Sequence, residues 1–283
     1  MAFKIPVEDR ISTYPGRVVL TPVSGANNTY DMVRADMPIV EGTPINKVLF
    51  NKKADCLTED VTVYVATTGS DTDGDGSLDA PFLTIQKAID ALPKNLGGFT
   101  AQVDIANGVY QEYVSCKGFI GGKLIFGHSN KTITISGVEF DNCSFVEVNV
   151  SNIVAQAGTN ASSLKVANGS NVYIYKSLLI DGGANTSSGV SATYNSTISS
   201  INGVTVTANK CGGNAVVATN GSIIALYHIK GVDNFGGLYA SVGGVITCES
   251  STVTSYFGDE SSGGGRIFTG GAMSILSVAS LEE

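Results

Sequence analysis

The sequence contains no tryptophan, only two histidines and unusually few charged side chains. Charged residues make up 15% of the 283 residues, against roughly 25% in an average soluble domain. The formal net charge is -8 and no basic patch is present, which argues against nucleic acid as a partner. Apolar residues make up 43%, too many for an intrinsically disordered chain. A chain of this length can bury a substantial core.

The sequence also lacks long apolar runs and paired cysteines. No run approaches the roughly 18 residues of a transmembrane helix, so no membrane span is expected. The first ten residues carry Glu8 and Asp9 and have no apolar stretch, so we expect synthesis in a cytoplasm without a secretory signal. The five cysteines are widely spaced and contain no CxxC. They fit reduced, buried thiols better than disulfides or a zinc site, and no cofactor is expected.

Prolines divide the chain into regions, because five of the seven lie in the first 44 residues. We predict that residues 1–60 form an extended attachment arm that lies over another subunit or a larger assembly; a small separate domain is the alternative. Residues 61–98 are predicted to hold a turn-rich opening loop and one amphipathic helix. In that helix Phe82, Ile85, Ile89 and Leu92 follow the helical spacing, and Pro93 ends it.

Residues 99–283 contain an internal repeat. Turn signals such as Asn168-Gly-Ser170 and Asn220-Gly-Ser222 recur along the chain. The corresponding residues of successive repeats, which we call turn marks, are 26, 26, 26, 22 and 27 residues apart: Cys143, Gly169, Asn195, Gly221, Gly243 and Gly270. A period of this size indicates stacked structural units.

Fixed offsets from the turn marks hold apolar residues. Five positions before the marks stand Val138, Leu164, Val190, Val216 and Leu238, and three positions after them stand Val146, Val172, Ile198, Ile224, Ile246 and Met273. Within a repeat the apolar positions are two apart, which is the strand period. A β-sandwich alternates in the same way but would not keep one register over five repeats. We therefore predict an all-β fold: a right-handed parallel β-helix with three strands per coil and about 26 residues per coil, capped at its N-terminal end by the helix.

Two stretches resemble the opening of the pectate-lyase and pectinesterase superfamily of β-helices. They are Pro81-Phe-Leu-Thr-Ile-Gln-Lys-Ala-Ile-Asp-Ala-Leu-Pro93 and Val103-Asp-Ile-Ala-Asn-Gly-Val-Tyr-Gln-Glu112. The preceding Gly69-Ser-Asp-Thr-Asp-Gly-Asp-Gly-Ser77 is similar to the way bacteriophage tail spikes begin this fold. The stretches Arg17-Val-Val-Leu-Thr-Pro-Val-Ser-Gly25 and Tyr30-Asp-Met-Val-Arg-Ala-Asp-Met-Pro-Ile-Val-Glu-Gly-Thr-Pro44 look like N-terminal segments of phage tail or baseplate proteins. The catalytic segments of the pectinesterase family, which read approximately Asp-Phe-Ile-Phe-Gly and Leu-Gly-Arg-Pro-Trp, do not occur.

The resemblance implies a structural virion protein of a bacteriophage tail or baseplate, a tail-fibre- or tail-spike-like appendage that takes part in host attachment. Residues 1–60 would bind other tail or baseplate proteins, the β-helix would face a host surface glycan, and the protein would be a homotrimer located in the virion. A cell-surface adhesin is a weaker alternative, because neither an export signal nor an anchor is visible.

An enzyme that depolymerises polysaccharide on the same scaffold is the main alternative. Asp181 and Asp233 both lie twelve residues after their turn marks, which predicts one face two coils apart, roughly 10 Å by the strand spacing. That separation lies near the upper end of the carboxylate spacing of inverting glycosidases. An Asp at a strand end before a corner is also a common structural residue, so a structural role for both stays open.

Three further groups are candidate site residues. Asp71, Asp73 and Asp75 match alternate positions of a calcium loop, although a bidentate Glu is missing, and a solvated turn is the alternative. Tyr175 and Tyr227 share one offset and should point outward, either to stack on sugar rings or to pack against a neighbouring subunit. His128 and His228 have no partner at a recognisable spacing and are interpreted as turn or surface residues.

Overall fold

The structure is a computed structural model that describes residues 56–155, 161–183 and 188–269, together with the backbone of four short strands near the N-terminus. The chain divides into two compact units, Met1–Ala54 and Asp55–Glu283. Strands β1 (Ile11–Ser12), β2 (Val18–Pro22), β3 (Tyr30–Arg34) and β4 (Pro38–Val40) belong to the first unit. β2 pairs with β3 and β1 with β4, both antiparallel.

The second unit is a parallel β-helix of about 7 turns, as the repeat predicts. Its described residues form one helix, α1 (Ile85–Ala91), and one continuous sheet. The strands of that sheet are β5 (Val61–Val65), β6 (Thr100–Ile105), β7 (Gly108–Lys117), β8 (Lys123–Gly127), β9 (Ile133–Asp141), β10 (Val146–Asn149), β11 (Asn152–Val154), β12 (Leu164–Ala167), β13 (Asn171–Ile174), β14 (Leu178–Asp181), β15 (Ser188–Ala192), β16 (Thr197–Ser200), β17 (Thr205–Asn209), β18 (Asn214–Thr219), β19 (Ile223–Asn234), β20 (Gly236–Ser241), β21 (Val245–Ser255), β22 (Glu260–Ser262) and β23 (Arg266–Thr269).

The predicted apolar rows form continuous inward columns. On one face Ile198 pairs with Val172 and Ile224, and Ile224 pairs with Ile246. On another face the register runs through Val138, Leu164, Val190, Val216 and Leu238. Every residue of these two columns is fully buried. Stacking of like side chains at the strand spacing of about 4.8 Å therefore supplies the core.

The recurrent turn signal has a backbone cause. Two consecutive residues adopt positive φ at the same corner of successive coils, such as Asn168 and Gly169 at 55° and 75°, and Asn220 and Gly221 at 53° and 75°. Asn and Gly tolerate this left-handed conformation better than other residues. The serine that follows is fully buried; Ser170 Oγ donates to the carbonyl oxygen of Ala167 at 2.6 Å and accepts from the backbone N–H of Cys143 at 2.9 Å. The corner serines thus join one coil to the next.

The coil length is shorter than predicted, at about 24 residues per turn instead of 26. The coils before and after the three coils of 26 residues have shorter corners. Leu124 pairs with Val146, 22 positions later, and Ile246 pairs with Ile267, 21 positions later. The last turn mark is therefore wrong, because the equivalent of Gly243 is Gly264. Met273 lies outside the described residues. β5 already pairs with β6, so the sheet begins at Val61.

The helix covers the first edge of the sheet. Its buried face consists of Ile85, Ala88 and Ile89. The side chain of Gln86 donates to the carbonyl oxygen of Ser115 at 3.2 Å and accepts from the N–H of Ser115 at 2.8 Å, so it takes the place of a neighbouring strand beside β7. The carboxylate of Glu112 accepts from the backbone N–H groups of Ile85 and Gln86 at 2.7 and 3.0 Å. These contacts satisfy groups that an open solenoid end would leave unpaired.

Candidate functional site

The three acidic residues of the predicted calcium loop serve local hydrogen bonds. Asp71 accepts from the backbone N–H of Leu83 at 2.9 Å and from the hydroxyl of Thr84 at 2.7 Å. Burial alone would raise the pKa of Asp71, but the bonds from Thr84 and Leu83 hold it below the usual value. Asp73 accepts from Ser70 Oγ at 3.2 Å, and Asp75 from the N–H of Ser77 at 2.9 Å. Within the described ranges no three acidic, His or Cys side chains converge as metal ligands would.

The register does not place Asp181 and Asp233 in one column. Asp181 pairs with Asn209, and the side chain of Asn209 accepts from the N–H of Val232 at 3.0 Å. Asp233 is one residue beyond this column, at a corner with φ 58°. The corner before β17 is longer and contains Gly203 at φ 82°, whereas β19 passes the same corner without a loop. The equal offsets in sequence therefore do not become equal positions in the coil.

Asp181 has a different partner from the one predicted. Its carboxylate lies 3.5 Å from Lys210 Nζ, and both side chains are substantially exposed. An exposed ion pair of this kind contributes little to stability. The strand register therefore contradicts the prediction, made for the depolymerase hypothesis, that Asp181 and Asp233 lie on one face.

The two predicted tyrosines do point outward, but they have different surroundings. Tyr227 packs edge-to-face on His228, with ring centroids 4.4 Å apart. A hydrogen bond to Glu249 and the charge of that carboxylate raise the pKa of Tyr227. His228 Nδ1 lies 2.6 Å from Ser250 Oγ, so the imidazole belongs to a surface network. Tyr175 instead lines a cavity on the outer surface of four successive coils, along the strands β6, β8, β10 and β13.

The cavity arises where an outward column lacks a side chain. Gly127, the last residue of β8, pairs with Asn149 of β10 and contributes no side chain to the outward column. Gly127 has φ 95°, and a Cβ atom there would lie 2.8 Å from the carbonyl oxygen of Asn149. Glycine is therefore required both by the backbone angle and by the close approach of the next coil.

The cavity has a volume of about 300 Å³. Ile125 and Gly127 supply its apolar wall, and its polar lining consists of Gln102, His128, Ser129, Glu147, Asn149 and Tyr175. The strands place Gln102 and Glu147 on either side of Ile125 in one outward column. His128 starts a turn, in which its Nδ1 accepts from the N–H of Asn130 at 3.2 Å and its carbonyl oxygen from the N–H of Lys131 at 3.2 Å. This turn holds the imidazole and Ser129 at the edge of the cavity.

Ion pairs surround the cavity. Glu147 binds Lys123 Nζ at 3.0 Å, and Lys131 Nζ binds Asp104 at 2.8 Å. Lys176 Nζ donates to the carbonyl oxygen of Lys131 at 2.5 Å, and burial lowers the pKa of Lys176. The nearby cations are thus directed to carboxylates or to backbone oxygen, while the cavity lining itself carries one carboxylate.

Sequence reasoning identified Tyr175 but missed the other cavity residues. Gln102, Glu147 and Asn149 follow the ordinary outward period of their strands and give no separate signal. The interpretation of His128 as a turn residue is confirmed by its hydrogen bonds. Only the register across four coils brings these side chains to one place.

No family model matches this chain, and no curated protein or solved structure matches it either. In the part of the chain that the structure describes, no helix is long and apolar enough to span a bilayer. The geometry of the β-helix and of its cavity therefore carries the functional argument.

Proposed function

We propose that this chain is a structural protein of a bacteriophage tail or baseplate, a tail-fibre- or tail-spike-like appendage that takes part in attachment to the host surface. The observation that carries the proposal is the parallel β-helix of about 7 turns. Coils that stack at about 4.8 Å give this unit a rigid core about 30 Å long. A rigid, low-charge coil suits a part that projects from a particle, since it needs no partner to keep its form.

The separation of the chain into two units allows each unit to have its own role. Residues before Ala54 form a unit separate from the β-helix, so they can bind other tail or baseplate proteins while the coils face the host. The proposed homotrimer has a possible contact on the last coils, where the exposed rings of Phe235, Tyr256 and Phe257 lie together with adjacent centroids 4.9 Å apart. Exposed aromatic clusters are typical of interaction surfaces.

Cryo-electron microscopy of phage particles that carry this gene tests the proposal. Gold-labelled antibodies against the chain should mark the tail, and the density should show three copies per appendage with residues 1–60 against another tail protein. Purified particles in which mass spectrometry detects no trace of the chain would overturn the proposal.

The cavity keeps the polysaccharide depolymerase as a second candidate function. It brings the carboxylate of Glu147, the imidazole of His128 and the phenol of Tyr175 to one place, as acid–base chemistry on a sugar would need. The two candidates differ in a simple assay. A depolymerase releases new reducing ends from the host polysaccharide, whereas an attachment protein binds the polysaccharide and leaves its length unchanged.

A further inference from the structure

The first sign of a ligand is a group of polar side chains that line one cavity and have no hydrogen-bond partner among the described residues. Asn149 is 7% exposed and lines the cavity. Its side-chain amide has no hydrogen-bond partner within the described part of the chain. The side-chain polar groups of Gln102, Ser129 and Tyr175, which line the same cavity, have none there either. These polar atoms are open to the cavity and are not sealed in the core, since Ser163 Oγ alone is a fully buried side-chain atom without a partner in the described residues. They can therefore bind water or a ligand that enters the cavity. The cavity therefore presents several unused donors and acceptors to one small volume.

The charges of the lining select against anions. Glu147 is the charged side chain in the cavity wall, and its partner Lys123 lies outside that wall at 3.0 Å. An incoming carboxylate or phosphate would meet the carboxylate of Glu147, and the two negative charges would repel each other. A ligand with hydroxyl or amide groups meets no such penalty, because Asn149 and Gln102 can both donate and accept.

The shape and the aromatic ring favour a sugar. A volume of 300 Å³ corresponds to about ten water molecules, which suits one monosaccharide unit but not an oligosaccharide. Tyr175 is 37% exposed at the cavity, so part of its ring is available to the C–H face of a pyranose. Ile125, which lies between Gln102 and Glu147 in one outward column, supplies further apolar surface. Small-ligand sites combine such apolar walls with a few convergent polar groups.

We propose that this cavity binds a single neutral hexose or N-acetylhexosamine unit. The amides of Asn149 and Gln102 hydrogen-bond its hydroxyl groups, and the ring of Tyr175 packs on its apolar face. Glu147 accepts from a further hydroxyl and excludes acidic sugars. The inference rests on the proposed function only for the source of the sugar, which is the polysaccharide of the host surface.

The test uses the full chain and methyl glycosides of glucose, galactose, N-acetylglucosamine and glucuronic acid as probes. Isothermal titration calorimetry should show at least one neutral glycoside binding in the millimolar range, with the glucuronide at least roughly tenfold weaker. Tyr175→Ala should weaken the neutral glycoside roughly tenfold, whereas Tyr175→Phe, which keeps the ring, should stay within about threefold. Tyr194→Ala is the control, because Tyr194 is 59% exposed at a corner outside the cavity; its affinity should equal that of the unmodified chain.

Three results would overturn the assignment: no neutral glycoside binds, the glucuronide binds as tightly, or Tyr175→Ala keeps full affinity. Circular dichroism of each variant shows whether the β-helix has folded, and Asn149→Ala gives a second measurement on the same site if Tyr175→Ala has not. Failure here is distinct from failure of the proposed function. Sugar binding by a chain that is absent from phage particles leaves the site intact, and a tail protein with an inert cavity leaves the attachment role intact.

Discussion

Val242 is a β-branched residue in a backbone conformation that such residues avoid. Its φ is 48°, and it occupies the corner position that Asn168 and Asn220 fill in earlier coils with φ 55° and 53°. The left-handed region costs an L-residue other than Gly, Asn or Asp roughly 1–2 kcal/mol. The side chain is 59% exposed, so it contributes little packing to offset that cost.

We therefore expect Val242→Asn to raise the free energy of unfolding by about 0.5–1 kcal/mol, because Asn tolerates positive φ and occupies the equivalent corner position in other coils. Urea unfolding followed by circular dichroism measures the difference. Val154→Asn is the matched control, since Val154 is 48% exposed in a strand, where Asn has no conformational advantage. A Val242→Asn variant no more stable than the parent would show that the corner carries no strain at this residue.

At the scale of elements, α1 depends on its contacts for its existence. It has seven residues, and isolated helices shorter than roughly 12–15 residues are marginal in water. Glu112 satisfies its first N–H groups, and its apolar face covers the first coil. In return, Gln86 pairs with both backbone groups of Ser115 on the open edge of β7.

Removing that pairing should expose the edge. In Gln86→Ala we expect the amide hydrogen of Ser115 to exchange with solvent at least roughly tenfold faster, since its acceptor is lost while the rest of α1 remains in place. Hydrogen–deuterium exchange read by mass spectrometry measures this rate. Lys87→Ala alters an exposed position of the same helix and should leave Ser115 protected. Equal protection in both variants would mean that α1 covers the edge without help from Gln86.

At the scale of the whole molecule, the sequence predicts the inward columns and not the outer surface. Ile198, Ile224 and Ile246 could be placed in one column because the inward positions of these strands hold apolar side chains. The repeat is therefore visible in the sequence as apolar residues at a fixed spacing. Outward positions carry no such restriction. The separation of Asp181 from Asp233 depends on corner lengths that change between coils, which composition does not reveal.

The cavity was unpredictable for a related reason. It depends on a missing side chain at Gly127 and on residues from four coils, none of which departs from the ordinary strand pattern. A glycine in a strand is a weak signal by itself, since it marks bulges and close approaches as well as cavities. Only the register shows that Asn149 lies beside it.

The buried thiols and phenols give the whole fold a dependence on alkaline pH. Burial raises the pKa of Cys211 to about 12, that of Cys248 to about 11 and that of Tyr110 to about 12. Burial also raises the pKa of Cys116 and Cys143. An unfolded thiol ionises near its ordinary pKa of 9.0, whereas the folded thiol stays protonated at that pH. The contribution of these groups to the free energy of unfolding is therefore fully present below about pH 9, and it is lost as the pH rises toward the pKa values of the folded state.

Between pH 8 and pH 10, ionisation of each such thiol in the unfolded chain should lower the free energy of unfolding by about 1 kcal/mol. Cys211→Val removes one ionisable group from a position that is 1% exposed, so the loss over this interval should shrink by about that amount, as measured by urea unfolding at the two pH values. Val204→Ala lies in the same core and should lower stability equally at both pH values, because it changes packing without changing ionisation. If Cys211→Val and the parent chain lost the same free energy between pH 8 and pH 10, the thiol of Cys211 would not be protected by the coil.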